Sequence, residues 1–133
     1  MKTGYKENIE KLTLSNTNFR QVLYTATHCQ LVLMSLAPNE DIGLEVHETG
    51  DQFFRFEKGD GKVTINGTEY AVSDGDCIIV PTGAKHNVSN TSQTDHLKFY
   101  TLYSPPHHQD GIVRTTKKDA RENEAEFDGK TSE

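Results

Sequence analysis

Two patterned stretches of this chain carry side chains able to do chemistry. The first runs Gly43-Leu-Glu45-Val-His47-Glu-Thr-Gly-Asp-Gln52 and continues to Gly59. The second runs Gly75-Asp-Cys-Ile-Ile-Val-Pro81-Thr-Gly83-Ala-Lys-His86-Asn-Val-Ser-Asn90. Glu45, His47, Gln52 and His86 offer nitrogen and oxygen donors. Such a set suits a borderline divalent ion: zinc, iron, nickel, manganese or cobalt. Four protein donors in a cup leave one or two positions for water or substrate, which a catalytic metal requires. Glu45 has a second reading, as a general base standing beside the ion rather than on it. Residue type alone leaves ligand and base both open.

These four side chains meet only if the strands that carry them form in one register. Residues two apart in a strand share a face. A strand over 43–47 therefore puts Glu45 and His47 on one side and Leu44 and Val46 on the other. Strands are also expected over 19–26, 30–36, 52–57, 61–66, 68–73, 76–80, 85–90 and 97–103. Asn66-Gly67 between two of them predicts a two-residue type I′ hairpin, since both positions need φ > 0. Gly59-Asp-Gly61 and Ser73-Asp-Gly75 mark further turns, and Pro81 ends the run before it by removing a ladder donor. Short strands punctuated this often predict an all-β sandwich or barrel.

The barrel is expected over 18–104, with an N-terminal arm over 1–17 and a polar tail over 105–133. In the arm, Tyr5, Ile9 and Leu12 hint at a short helix or an edge-covering strand. The tail holds good helix formers over 117–126 but no broad apolar face, so it is expected to fray or to dock on a partner.

Composition narrows the class of protein. A chain of 133 residues with 33% apolar content is one domain with a modest core. Its formal charge of −6 disfavours a nucleic-acid surface. No apolar run approaches the ~20 residues that cross a bilayer, and no leader is read ahead of the body, so a cytoplasmic location is expected. Cys29 and Cys77 then read as free, packed thiols in a reducing compartment.

The two patterns resemble the paired motifs of the cupin superfamily. The second fits at Gly75, Pro81, Gly83, His86 and Asn90. The first usually carries two histidines one residue apart, then a glutamate and a glycine; here those places hold Glu45, His47, Gln52 and Gly59. The resemblance implies a double-stranded β-helix, or jelly-roll, over roughly 19–104, with a divalent metal on His47, His86 and the side chains at 45 and 52. The exchange at 45 adds a carboxylate and the one at 52 removes one, so the ligand charge is kept. Resemblance further implies a metalloenzyme acting as a Lewis acid on a small oxygenated substrate, as in cupin isomerases, epimerases and cyclases, including sugar-phosphate isomerase-like members. The alternatives are a cupin dioxygenase with a redox-active ion, or a module that binds a small ligand without transforming it. Small cupins commonly pair through edge strands, so a homodimer is expected.

Other candidates are weaker on sequence. Phe54 and Phe56 share the face of Gln52 and read as core. Arg20 and Arg55 read as solvated or paired, although either is able to meet an anion. Tyr24, Tyr100 and Tyr103 read as packed residues with satisfied hydroxyls. His28 and His96 read as solvated, and His107-His108 as a loop.

Overall fold

The computed structural model describes residues 1–133. Nine strands and two short helices are arranged in the order α1 (Ile9–Ser15), β1 (Arg20–Thr25), β2 (Gln30–Leu36), β3 (Asp51–Lys58), β4 (Gly61–Ile65), β5 (Thr68–Val72), β6 (Cys77–Val80), β7 (His86–Asn90), β8 (Leu97–Ser104), β9 (Val113–Arg114) and α2 (Lys117–Glu122). Six strands form one antiparallel sheet in the order β6-β3-β8-β2-β1-β9, and three form a second in the order β5-β4-β7. The two sheets face each other as a jelly-roll, the all-β class that the strand pattern predicts.

Alternation along β3 and β8 builds the core. Gln52, Phe54 and Phe56 are buried while Phe53 and Arg55 are less so, and β8 buries Leu97, Phe99, Thr101 and Tyr103 in the same rhythm. Phe54, Phe56 and Phe99 lie within 5.1–6.4 Å of one another, centroid to centroid. Val63 and Val88 of the smaller sheet complete the same apolar cluster. Large rings fill such a layer because each buries much surface for few rotatable bonds. The β4–β5 hairpin turns at Asn66-Gly67, with φ of 46° and 84°, as that dipeptide predicts.

Helix α1 confirms the weak spacing in the arm. Asn8 caps it, accepting a 3.0 Å bond from the Lys11 amide. The ammonium of Lys98 on β8 donates to the carbonyls of Leu14 and Asn16 at its other end, 2.9 Å each, where a cation suits the helix dipole.

The segment 43–47 corrects the strand expected there. It is extended, but it forms no regular ladder with β7; two isolated bridges, Asp41 with Ser89 and Glu45 with His86, join the stretch to that strand. Four positions separate the bridged residues on this side and three on β7, so this segment carries one extra residue. Gly43 absorbs it, with φ of 104° and its amide turned to the Asn87 side chain at 3.0 Å. This is bulge geometry, which bends an edge and re-aims the side chains after it. Past the bulge the expected alternation holds: Leu44 is 69% exposed, while Glu45 and His47 turn inward.

The tail also departs from expectation, because it does not fray. Strand β9 adds to the edge of the six-stranded sheet, α2 buries Ala120, and His108 bridges to Glu126. The fully buried amide of Gln30 is the fastening. Its Nε2 donates to Thr25 Oγ1 and to the His108 carbonyl, and its Oε1 accepts from the amides of His107 and His108. A tail poor in apolar residues is held here by hydrogen bonds rather than by a hydrophobic face. Both cysteines are free, as expected, but Cys77 is exposed rather than packed.

Candidate metal centre

The bulge and β7 bring the two sequence motifs together. Glu45 and His86 face each other across the bridge, and each donates its amide to the other's carbonyl at 2.9 Å. His47 is pinned one step further on, where its carbonyl accepts the Gly83 amide at 2.9 Å. Donor atoms of Glu45, His47 and His86 consequently all lie within 4.8 Å of one another. His47 Nε2 stands 3.4 Å from Glu45 Oε2, and the two imidazole centroids are 5.2 Å apart.

Hydrogen bonding fixes which atoms are free. His86 Nδ1 lies 3.2 Å from the Ala84 carbonyl. A carbonyl can only accept, so Nδ1 carries the proton and Nε2 keeps its lone pair, the usual arrangement behind a metal-binding histidine. His47 Nε2 and Gln52 Oε1 are both enclosed without a hydrogen-bond partner; the contact of His47 with Glu45 is out of line for one. Gln52 uses only its Nε2, which donates to Thr101 Oγ1 at 2.9 Å. Two of the four side chains singled out by sequence thus present orphaned buried atoms, and buried polar atoms seldom stay orphaned. The residues present fit a divalent cation.

The local field suits that role. Burial alone would raise the Glu45 carboxyl, but the adjoining His47 ring, Arg20 and His86 outweigh it and hold the group below the usual carboxylate range. Burial lowers the His86 imidazole, against the opposing pull of the Ala84 carbonyl and Glu45. Glu45 is therefore ionised and His86 neutral at pH 7, the protonation states that metal binding needs.

Three further side chains close the cup, and sequence reasoning did not assign them to it. The Tyr103 ring lies 5.7 Å from that of His47, and His107 lies 4.5 Å from it. His108 Nε2 is 3.2 Å from the Tyr103 hydroxyl. Burial pushes the Tyr103 hydroxyl up and the His107 ring down. Burial, with smaller contributions from the charges of Arg20 and His107, takes His108 down to about 2. The available signal was topological: a Pro-Pro turn directly after a strand that lines the cup. His107 also separates two cavities. One of about 130 Å³ reaches Glu45 and includes Arg20 and His108. The other, about 140 Å³, reaches His47 past Thr49 and Pro105.

Comparison with known proteins identifies the family of the fold. Residues 32–103 match the family described as Cupin domain. An uncharacterized protein of Acanthamoeba polyphaga mimivirus is 44% identical over 113 residues, covering 82% of this chain and 70% of that protein. The uncharacterized Bacillus subtilis protein YrkC is 45% identical over 119 residues, covering 85% of this chain; the chain spans only 63% of YrkC's length. A crystal structure of a Bacillus halodurans protein superposes with a TM-score of 0.88 at 40% identity, over 91% of this chain and 96% of that one. The chain belongs to the cupin family.

Proposed function

We propose that this member of the cupin family is a metal-dependent enzyme acting on a small oxygenated molecule, in the isomerase, epimerase or cyclase class. His47, His86 and Glu45 would hold one divalent ion, with Gln52 Oε1 as the fourth donor. When bound there, such an ion supplies Lewis acidity, polarising a carbonyl or steadying an enediolate. The observation that carries this reading is the trio of converging donors, Glu45, His47 and His86, with His47 Nε2 enclosed among them without a partner.

The chain's own residues do the remaining work. The Ala84 carbonyl sets the tautomer of His86. Tyr103 and His107 set their ring edges against His47 and hold its orientation. Glu45 lines two cavities, whereas His47 lines one and His86 none. That placement supports the second reading, in which a carboxylate oxygen of Glu45 takes a proton from the bound molecule. We also take the working unit to be a homodimer, since the exposed edge strand β6 presents Ile79 at 63% exposure.

Metal analysis after native purification tests the reading. About one divalent ion per chain is expected, and His86→Ala should lose it while keeping the fold. A wild-type protein that neither carries nor takes up an ion, or a His86→Ala variant that binds one equally well, would overturn it.

A further inference from the structure

Arg20 opens β1 and lines both the cavity of about 130 Å³ that reaches Glu45 and a neighbouring one of about 320 Å³ beside Gly43. Its Nε is enclosed without a partner. None of the chain's ion pairs includes it. The chain carries a net charge of −6, and Glu45, Glu124 and Glu126 line the same cavity, yet none of them is paired with it. The Phe19 ring flanks the guanidinium, 5.3 Å from centroid to carbon.

Directly opposite, in register on β9, stands Arg114. Like charges facing across a strand pair repel. Arg114 is occupied, donating from Nε to the Asn123 carbonyl at 2.9 Å and from Nη1 to that of Val113. Arg20 is the guanidinium left unmet. An enclosed donor without an acceptor is destabilising, so its retention beside the cup points to an acceptor that arrives from outside. Its charge already acts on the cup, helping to lower Glu45, His107 and His108.

We infer that Arg20 is the anion-recognition residue of the cup, and that the molecule it receives carries a carboxylate. A guanidinium fork matches the two oxygens of a carboxylate in one plane. A doubly charged phosphate would meet the three glutamates of this cavity with twice the repulsion. This inference rests on the reading of the cup as a small-molecule site and adds to it the charge of the substrate.

Paired probes test it by calorimetry on the metal-loaded protein: glycolate against glycolamide, lactate against lactamide, and methyl phosphate. In each pair the carbon skeleton is kept and the charge removed. At least one acid should bind about tenfold more tightly than its amide and more tightly than methyl phosphate. Arg20→Gln should erase that difference without changing metal content, and Arg20→Lys should restore only part of it. The Arg20 Nε–H resonance of ¹⁵N-labelled wild type should shift with the acid and not with the amide, a readout independent of any variant. Acids that bind no better than their amides, a preference for methyl phosphate, or an Arg20→Gln variant that keeps the difference would each overturn the inference. The same titration without metal separates the two readings. Arg20-dependent acid binding in a protein that takes up no ion would sink the metal reading alone. Normal ion uptake without acid selectivity would sink this one alone.

Discussion

Glu45 and His86 exchange both of their backbone hydrogen bonds, each 2.9 Å long, although they belong to different sequence motifs. The pair is isolated, since no regular ladder surrounds it. The donor atoms of the cup are therefore set by one reciprocal bridge and by the bulge that precedes it.

Gly43 is the first point at which this arrangement is open to attack. Its φ of 104° lies where a β-carbon is strained. Gly43→Ala should destabilise the protein by about 1–2 kcal/mol, measured by urea unfolding. It should also weaken metal binding, because Glu45 lies two residues further on. Unchanged stability and unchanged ion affinity would show that the bulge does not position the cup.

Gln52 gives separate predictions for the two states of the site. Its Oε1 meets no donor in the chain. Gln52→Leu forfeits the bond to Thr101 but also removes an orphaned acceptor, so the metal-free protein should stay within about 1 kcal/mol of wild type. Ion affinity should fall. Calorimetric titration with Zn²⁺ and Ni²⁺, alongside unfolding curves, reads both quantities.

His108 makes stability depend on pH. Its folded pKa is depressed to about 2, whereas in the unfolded chain it titrates near ~6.5. Above about 6.5 neither state takes the proton, and this group contributes its full stability. Below that value the unfolded chain binds a proton that the folded one refuses, so stability declines as pH falls, by about 1.4 kcal/mol per unit. Between pH ~7.5 and ~5 the loss through this residue should reach about 2 kcal/mol. His108→Gln keeps a polar partner for the Tyr103 hydroxyl and should flatten the slope by that amount.

Gln30 should be the most sensitive position outside the cup. It is fully buried, and three of its four hydrogen bonds fasten the tail while the fourth reaches Thr25. Gln30→Ala would strand the amides of His107 and His108, with a loss of roughly 2–4 kcal/mol. Amide exchange should quicken first over residues 107–126. Unaltered protection there would mean that α2 and β9 hold the tail by themselves.

Sedimentation tests the dimer. A mass near twice the 14.9 kDa of one chain is expected, and Ile79→Asp on the exposed edge should halve it. A wild-type mass of one chain would end the proposal.

The strands were legible because their burial is one-sided. Along β3, Gln52, Phe54 and Phe56 alternate with less buried neighbours, and a period of two needs no knowledge of the partner strand. The reading failed where geometry departs from that period. Over 43–47 the alternation is real but the ladder is not, because one extra residue at Gly43 shifts the register. It failed again over the tail, whose fastening is the amide of Gln30 on the far strand β2. No local pattern in 105–133 encodes a partner in β2. Glu45, His47 and His86 could be singled out because their spacing survives in the two motifs. His107 and Tyr103 could not, since nothing in their spacing links them to the cup. The residue type of Arg20 suits an anion, but only the folded chain shows that its Nε lacks an internal partner beside a cavity.

The ring of His107 is a partition. It lines two separate hollows, one on the Arg20 side and one past Thr49 and Pro105. A molecule held on the Arg20 side would be walled off from the other hollow by that ring. His107→Ala would merge the two hollows into one, and the proposed acid site should then admit a longer carbon skeleton.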